Sequence, residues 1–166
     1  MWWRAMLLFF AFIVVLQAAP QLQWAPLAGL SKPMKIKLQH LRRSRCLPAS
    51  DEVTMPVYPA AVAIGLNWGR VKPLCVRRDG WQDLGSLVLA TVDDETQVAA
   101  WYASNLDTFV QYRSERDLLF IKASIEDFLW KRDYYKYPNI SIRRASGEWD
   151  SAGYTTIIEL NRPSLN

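Results

Sequence analysis

"SLVLATVDDETQVAAWYASNL" (residues 86–106) decides how the rest of this chain is read. Its first seven residues are apolar, small or β-branched and carry no charge, so they read as a short strand. Asp94 then stands where a helix N-cap belongs, with Gln97 three residues on, which is the pattern of a capping box. Val98, Trp101, Tyr102 and Leu106 recur at helical spacing and define one apolar face. A strand therefore runs directly into a helix.

Working outward, "VYPAAVAIGLNW" (57–68) is rich in small and β-branched residues and reads as strand. "TFVQYRSERDLLFIKAS" (108–124) reads as two strands around a polar turn at residues 114–117. Ser124 followed by Asp127 repeats the capping pattern, and Ile125, Phe128 and Leu129 give a short helix its apolar face. Lys131 and Arg132 suit its C-terminal end, and Pro138 stops it. "NISIRR" (139–144) and "YTTIIEL" (154–160) close the chain as strands, with "ASGEWDSAG" (145–153) as the turn between them. Hairpins in this order predict an α+β fold. An antiparallel sheet carries one main helix and one short helix on one face, preceded by an N-terminal apolar helix.

The charge is divided along the chain. Residues 1–50 hold seven basic residues (Arg4, Lys32, Lys35, Lys37, Arg42, Arg43 and Arg45) and no acid. Residues 51–166 hold 13 basic and 16 acidic residues, a net of −3. The overall +4 thus belongs to the N-terminal arm, and it is the arm that suits an anionic partner. The expected layout is a signal peptide or signal-anchor helix over 1–24, a basic Pro-containing arm over 25–50, and an α+β domain over 51–166. Within the arm, "MKIKLQHL" (34–41) alternates, which suggests a short strand or an adhering segment in an otherwise linker-like stretch.

"MWWRAMLLFFAFIVVLQAAP" (1–20) contains an uncharged run of 15 residues, 5–19. That length fits a signal-peptide core, whereas a spanning helix needs about 20. The cleavage region is poor, because a cut after Ala18 leaves Leu16 at the third position back and a cut after Ala19 leaves Pro20 next. Trp2 and Trp3 at one end and Trp24 at the other suggest interfacial belts, which favours a retained anchor. On that reading the domain lies in the periplasm, tethered to the inner membrane. The alternative is a secreted or periplasmic product after cleavage. Lys32, Lys35, Lys37, Arg42, Arg43 and Arg45 are the candidate membrane-surface arm, set to lie on anionic headgroups. Counted by the positive-inside rule, they pull their side toward the cytoplasm and Arg4 pulls the opposite way.

Chemistry-bearing patterns are sparse. Asp93, Asp94 and Glu95 are explained by helix capping and the helix dipole, and so are Glu126 and Asp127. Glu148 and Asp150 bracket Trp149 in a turn, with nothing that places them as a facing pair. The single histidine, His40, sits in the basic arm, which argues against a Ser–His–Asp arrangement. Phosphate-loop and dinucleotide glycine motifs do not occur. With two cysteines and one histidine, a four-ligand zinc site is not expected, and neither is a cofactor. Cys46 and Cys75 are a candidate disulfide in an exported protein, worth roughly 3–4 kcal/mol. "WKRDYYKYPNISIRR" (130–144) interleaves basic and aromatic residues. Trp130, Lys131, Arg132, Tyr134, Tyr135, Lys136 and Tyr137 form a candidate surface for a protein partner. The negative charge of the domain argues against nucleic acid. Asn139-Ile-Ser141 has the form of a glycosylation sequon.

"MPVYPAAVAI" (55–64), "LATVDDETQVAAWYASNL" (89–106) and "YTTIIELNRP" (154–163) together resemble small exported bacterial envelope domains. Those carry a P-x-YP-G-A strand, a T-x-D-(S/D)-x-x-x-V-x-x-(F/W)-Y helix, a β-hairpin and a late strand. Ala60 departs from the pattern, which has Gly there. The resemblance implies an envelope location and an α+β fold, and it carries over no catalytic residues.

The reading as a whole is a membrane-tethered or exported domain with a non-catalytic binding or accessory role. An exported enzyme and a cytoplasm-facing nucleic-acid-binding membrane protein are the alternatives.

Overall fold

The structure is a computed structural model, and it describes residues 22–43, 47, 53–68, 84–122 and 137–161. In chain order the elements are α1 (Lys32–Arg43), β1 (Val62–Trp68), β2 (Leu84–Thr91), α2 (Glu95–Asn105), β3 (Val110–Arg113), β4 (Leu118–Ile121), β5 (Asn139–Arg144), α3 (Glu148–Ser151) and β6 (Thr156–Asn161). The strands form one six-stranded sheet in the order β1-β2-β6-β5-β4-β3, and every pairing is antiparallel. The α+β class with an antiparallel sheet is therefore observed.

Side chains alternate across the sheet, so its two faces carry separate cores. On the first face Leu87 and Leu89 of β2, Ile158 and Leu160 of β6 and Ile140 and Ile142 of β5 are fully buried. Val98 and Tyr102 of α2, with Leu106 at its C-cap, close over them. On the second face Ile64, Ala90, Ala145 and Ile157 meet Ala25, Leu30 and Leu38, with Trp149 and Tyr154 packed alongside. The expected helix packing on one face is thus half of the arrangement. The main helix covers one face, and α1 covers the other. The short helix expected after Ser124 and the apolar segment before Leu22 lie outside the described residues.

α2 forms as its sequence dictates. The Asp94 side chain accepts from the Gln97 backbone N–H at 2.9 Å, and the Gln97 side chain accepts from the Asp94 N–H at 3.3 Å. Two otherwise unpaired helix-start donors are satisfied, an arrangement worth about 1 kcal/mol. The turn after β3 also falls where expected. There the Ser114 N–H donates to the Asp117 carbonyl at 2.9 Å, and the Asp117 N–H donates to Ser114 Oγ at 2.9 Å. The segment between β5 and β6 is more than a turn, since it folds into the one-turn α3 between Gly147 (φ 61°) and Gly153 (φ 88°). Glu148 and Asp150 are exposed there, while Trp149 is half-buried against the second core.

The stretch read as a linker with a short strand is corrected by the structure. Residues 32–43 are helical, and Leu38 is buried. Ser31 Oγ accepts from the Met34 N–H at 3.5 Å, and Pro33 occupies the first turn, where a missing N–H costs nothing. Upstream, the Ala25 N–H donates to the Ala63 carbonyl and the Ala63 N–H donates to the Gln23 carbonyl, at 2.8 and 2.7 Å. This short parallel bridge pairs Trp24 with Ala63 at the outer edge of β1. Trp24 is half-buried and touches both cores. Its reading as the second interfacial belt is corrected accordingly: its ring is used inside the domain.

Candidate functional site

The residues that carried the family resemblance lie far apart in sequence and meet at one corner of the sheet. The Tyr58 hydroxyl donates to Asp93 Oδ2 at 2.7 Å across 35 residues of chain. The Tyr58 ring stands edge-on to Trp101 at 5.3 Å between centroids, and Trp101 stands edge-on to Tyr102 at 4.9 Å. Tyr102 continues the cluster to Phe120 of β4 at 6.1 Å. Edge-to-face rings at these separations are attractive beyond the area they bury.

Asp93 is held from three sides. Its N–H donates to Thr91 Oγ1 at 3.3 Å, its carbonyl accepts from Thr156 Oγ1 at 2.7 Å, and its carboxylate takes the Tyr58 hydroxyl. Thr91 and Thr156 are buried and sit opposite each other in the β2–β6 register. The corner thus ties the end of β2, the start of α2, the start of β6 and the loop before β1.

The electrostatics keep both phenols protonated. Burial, then the hydrogen bond to Asp93, then the charges of Asp93 and Asp94 push Tyr58 up to about 12. Burial pushes Tyr102 up as well, and the nearby Tyr58 main chain offsets this only in part. Tyr58 acts here as a donor, not as a proton acceptor. Replacing it with phenylalanine is expected to cost about 1–2 kcal/mol below pH 10, because the Asp93 carboxylate loses a charge-assisted partner. The sign with pH follows from the raised folded-state value. Between the unfolded value of 10.0 and about 12 the native state holds a proton that the unfolded chain releases. The wild type therefore loses the Tyr58 contribution over that window, in addition to the loss that both proteins share at the other raised tyrosines. Urea midpoints of the two proteins at pH 9 and pH 11 should show the gap narrowing; a constant gap would contradict this assignment.

The predicted site residues are distributed as follows. Lys32, Lys37 and Arg43 are exposed on α1, and Lys35 is half-buried. Arg42 turns inward, where Nη2 donates to the Ala25 carbonyl and Nε is buried without a hydrogen-bond partner. Of the partner-surface residues, Tyr137 is described and half-buried, and its carbonyl accepts from Asn139 Nδ2 at 2.9 Å. Trp130, Lys131, Arg132, Tyr134, Tyr135 and Lys136 lie outside the described residues, as do Arg45, Cys46 and Cys75. The sequon reading is corrected: Asn139 is fully buried in β5 and accepts from Asn161 Nδ2 at 3.0 Å. An asparagine in that position has no room for a glycan. The same residue helps to fix strand register, because a one-residue slip would move its amide to the apolar face.

Among the described residues, no group of three or more His, Cys, Asp or Glu side chains is placed to hold a metal ion. No helix among them is long and apolar enough to cross a membrane. Sequence reasoning did not find the Tyr58–Asp93 bond. Both residues were visible, Tyr58 in the YP pair and Asp93 before the cap, but no periodicity links them.

No protein-family model, curated protein or solved structure matches this chain.

Proposed function

We propose that this protein is a membrane-tethered or exported domain of the cell envelope, held at the inner membrane with its domain in the periplasm, and that it has a non-catalytic binding or accessory role. One observation carries the reading. The Gln23 carbonyl, four positions after the run of residues 5–19 ends, already accepts from the Ala63 N–H at the edge of β1. An apolar N-terminal helix at that place would hold the domain against the bilayer with almost no intervening linker. The resemblance to exported envelope domains supports the same location. The corner built from Tyr58, Asp93 and Trp101 supports a structural role, because the Tyr58 hydroxyl and the Asp93 main chain are engaged in holding distant segments together.

Fractionation of cells, the N-terminal mass of the product and protease access to the domain test the proposal together. The expected result is a membrane-bound chain with its first residues retained and a domain cut by protease from the periplasmic side. A soluble product starting near Ala19 replaces the tether with the secreted or periplasmic alternative. A domain protected in intact spheroplasts overturns the envelope location and favours the cytoplasm-facing reading.

A further inference from the structure

We infer that the outward face of α1 is a lipid-contact surface, in which Ile36 enters the headgroup boundary of an anionic bilayer while Lys32, Lys37 and Arg43 meet its phosphates. This deepens the membrane-tether reading and rests on it. α1 packs on the sheet through Leu38, with Met34 beside it. At 100° per residue, Lys32, Ile36 and Arg43 fall within about 40° of one another on the opposite side, and Lys37 lies on the flank, about 100° from Ile36. All four are exposed, and Ile36 keeps 58% of its surface in solvent. Large apolar side chains left that open are rare among the described residues, where Val92 is the other instance. Lys32, Pro33, Gln39, His40 and Arg43 are the exposed neighbours of Ile36 on that side, an apolar side chain flanked by cations with no acid, as on an interfacial helix.

The choice of partner follows from charge and from position. Residues 1–50 contain no acid, so nothing in the arm competes for these cations. Twelve residues of sequence separate α1 from the apolar run of residues 5–19. A nucleic acid would satisfy the cations and leave Ile36 without an apolar partner, and the net −3 of residues 51–166 would repel it. An anionic bilayer satisfies both kinds of group. In this pose Arg42 keeps its structural bond to Ala25, and the Tyr58–Trp101 corner, on the other face of the sheet, points away from the lipid.

The test uses the full chain in nanodiscs of phosphatidylcholine alone or of phosphatidylcholine with phosphatidylglycerol. Acetylation rates of Lys32 and Lys37 are read by mass spectrometry, with hydrogen exchange of α2 as the control for folding. Both lysines should become several-fold less reactive in the anionic discs and recover at high salt. Reversing Arg43 (Arg43→Glu) should shrink the difference at both lysines while α2 exchange stays unchanged. Ile36→Ser should return the lysine rates in the anionic discs most of the way to those in phosphatidylcholine alone. Equal reactivity in the two kinds of disc overturns the inference, and so does protection by a single-stranded oligonucleotide in its place. If the cell yields a processed soluble product, the tether reading has failed separately. Flotation of that product with phosphatidylglycerol vesicles then decides the matter: binding supports the lipid face, and no binding overturns it.

Discussion

Replacing Tyr102 with alanine should destabilise the protein by about 3–5 kcal/mol, the largest effect of any single substitution considered for this chain. The side chain is fully buried and is the largest one so placed among the described residues. It fills the space between α2 and the first face of the sheet, touching the Tyr58, Trp101 and Phe120 rings. Truncation removes the packing of a whole ring and leaves a cavity that rigid neighbouring strands cannot close. Against a typical domain stability of about 5–15 kcal/mol, this brings the fold close to its limit. The hydroxyl contributes little of that. It lies near the Tyr58 main chain but makes no hydrogen bond of normal geometry. Tyr102→Phe should therefore fall within about 1 kcal/mol of wild type, or above it, since a buried hydroxyl without a partner is itself a cost. Urea unfolding of the two variants separates ring from hydroxyl. A phenylalanine variant as damaged as the alanine one would mean that the hydroxyl is what holds this corner.

The second large effect is expected at Leu38, and it tests the element that the sequence pattern obscured. Leu38 is 2% exposed and packs among Ala25, Leu30, Ile64, Ala90 and Ile157 on the second face of the sheet. Leu38→Ala should cost about 2–4 kcal/mol, and hydrogen exchange over residues 32–43 should rise well before that of α2. Ile36→Ala should stay within about 0.5 kcal/mol, because Ile36 contributes nothing to the core. In a strand with the alternation of residues 34–41, Ile36 and Leu38 would share a face and respond alike. Similar losses at the two positions would contradict the helix.

The aromatic corner and α1 differ in what they ask of a reader of the sequence. α2 announces itself through Asp94, Gln97 and the spacing of Val98, Tyr102 and Leu106, all local signals within about three turns. β4 and β6 do the same through short apolar runs that end at turn residues. α1 was masked by one residue. Met34, Leu38 and Leu41 follow helical spacing, and Ser31 with Pro33 marks a helix start. Ile36 fills the gap between Met34 and Leu38, so the run also alternates with a period of two. The residue that blurred the pattern is the one that points outward.

Trp24 and Arg42 make a similar point about side chains with an apolar body and a polar end. Both were read as membrane-facing because such groups suit an interface. In the fold, the Trp24 ring joins both cores and the Arg42 guanidinium binds the Ala25 carbonyl. An amphipathic side chain is equally suited to the rim of a protein core, and its own chemistry does not choose between the two.

What the sequence by itself determined is the antiparallel α+β character, the capped helix α2, the hairpin turn at Ser114 and the charge division between arm and domain. Each is set by neighbours within a few residues or by composition. The tertiary structure alone decided that β6 lies between β2 and β5, that Tyr58 reaches Asp93, and that α1 is a helix on the second face. Those outcomes rest on contacts between distant segments. Burial against a partner that local sequence does not name settles them, and it overrides the weak local preference of a stretch such as residues 34–41.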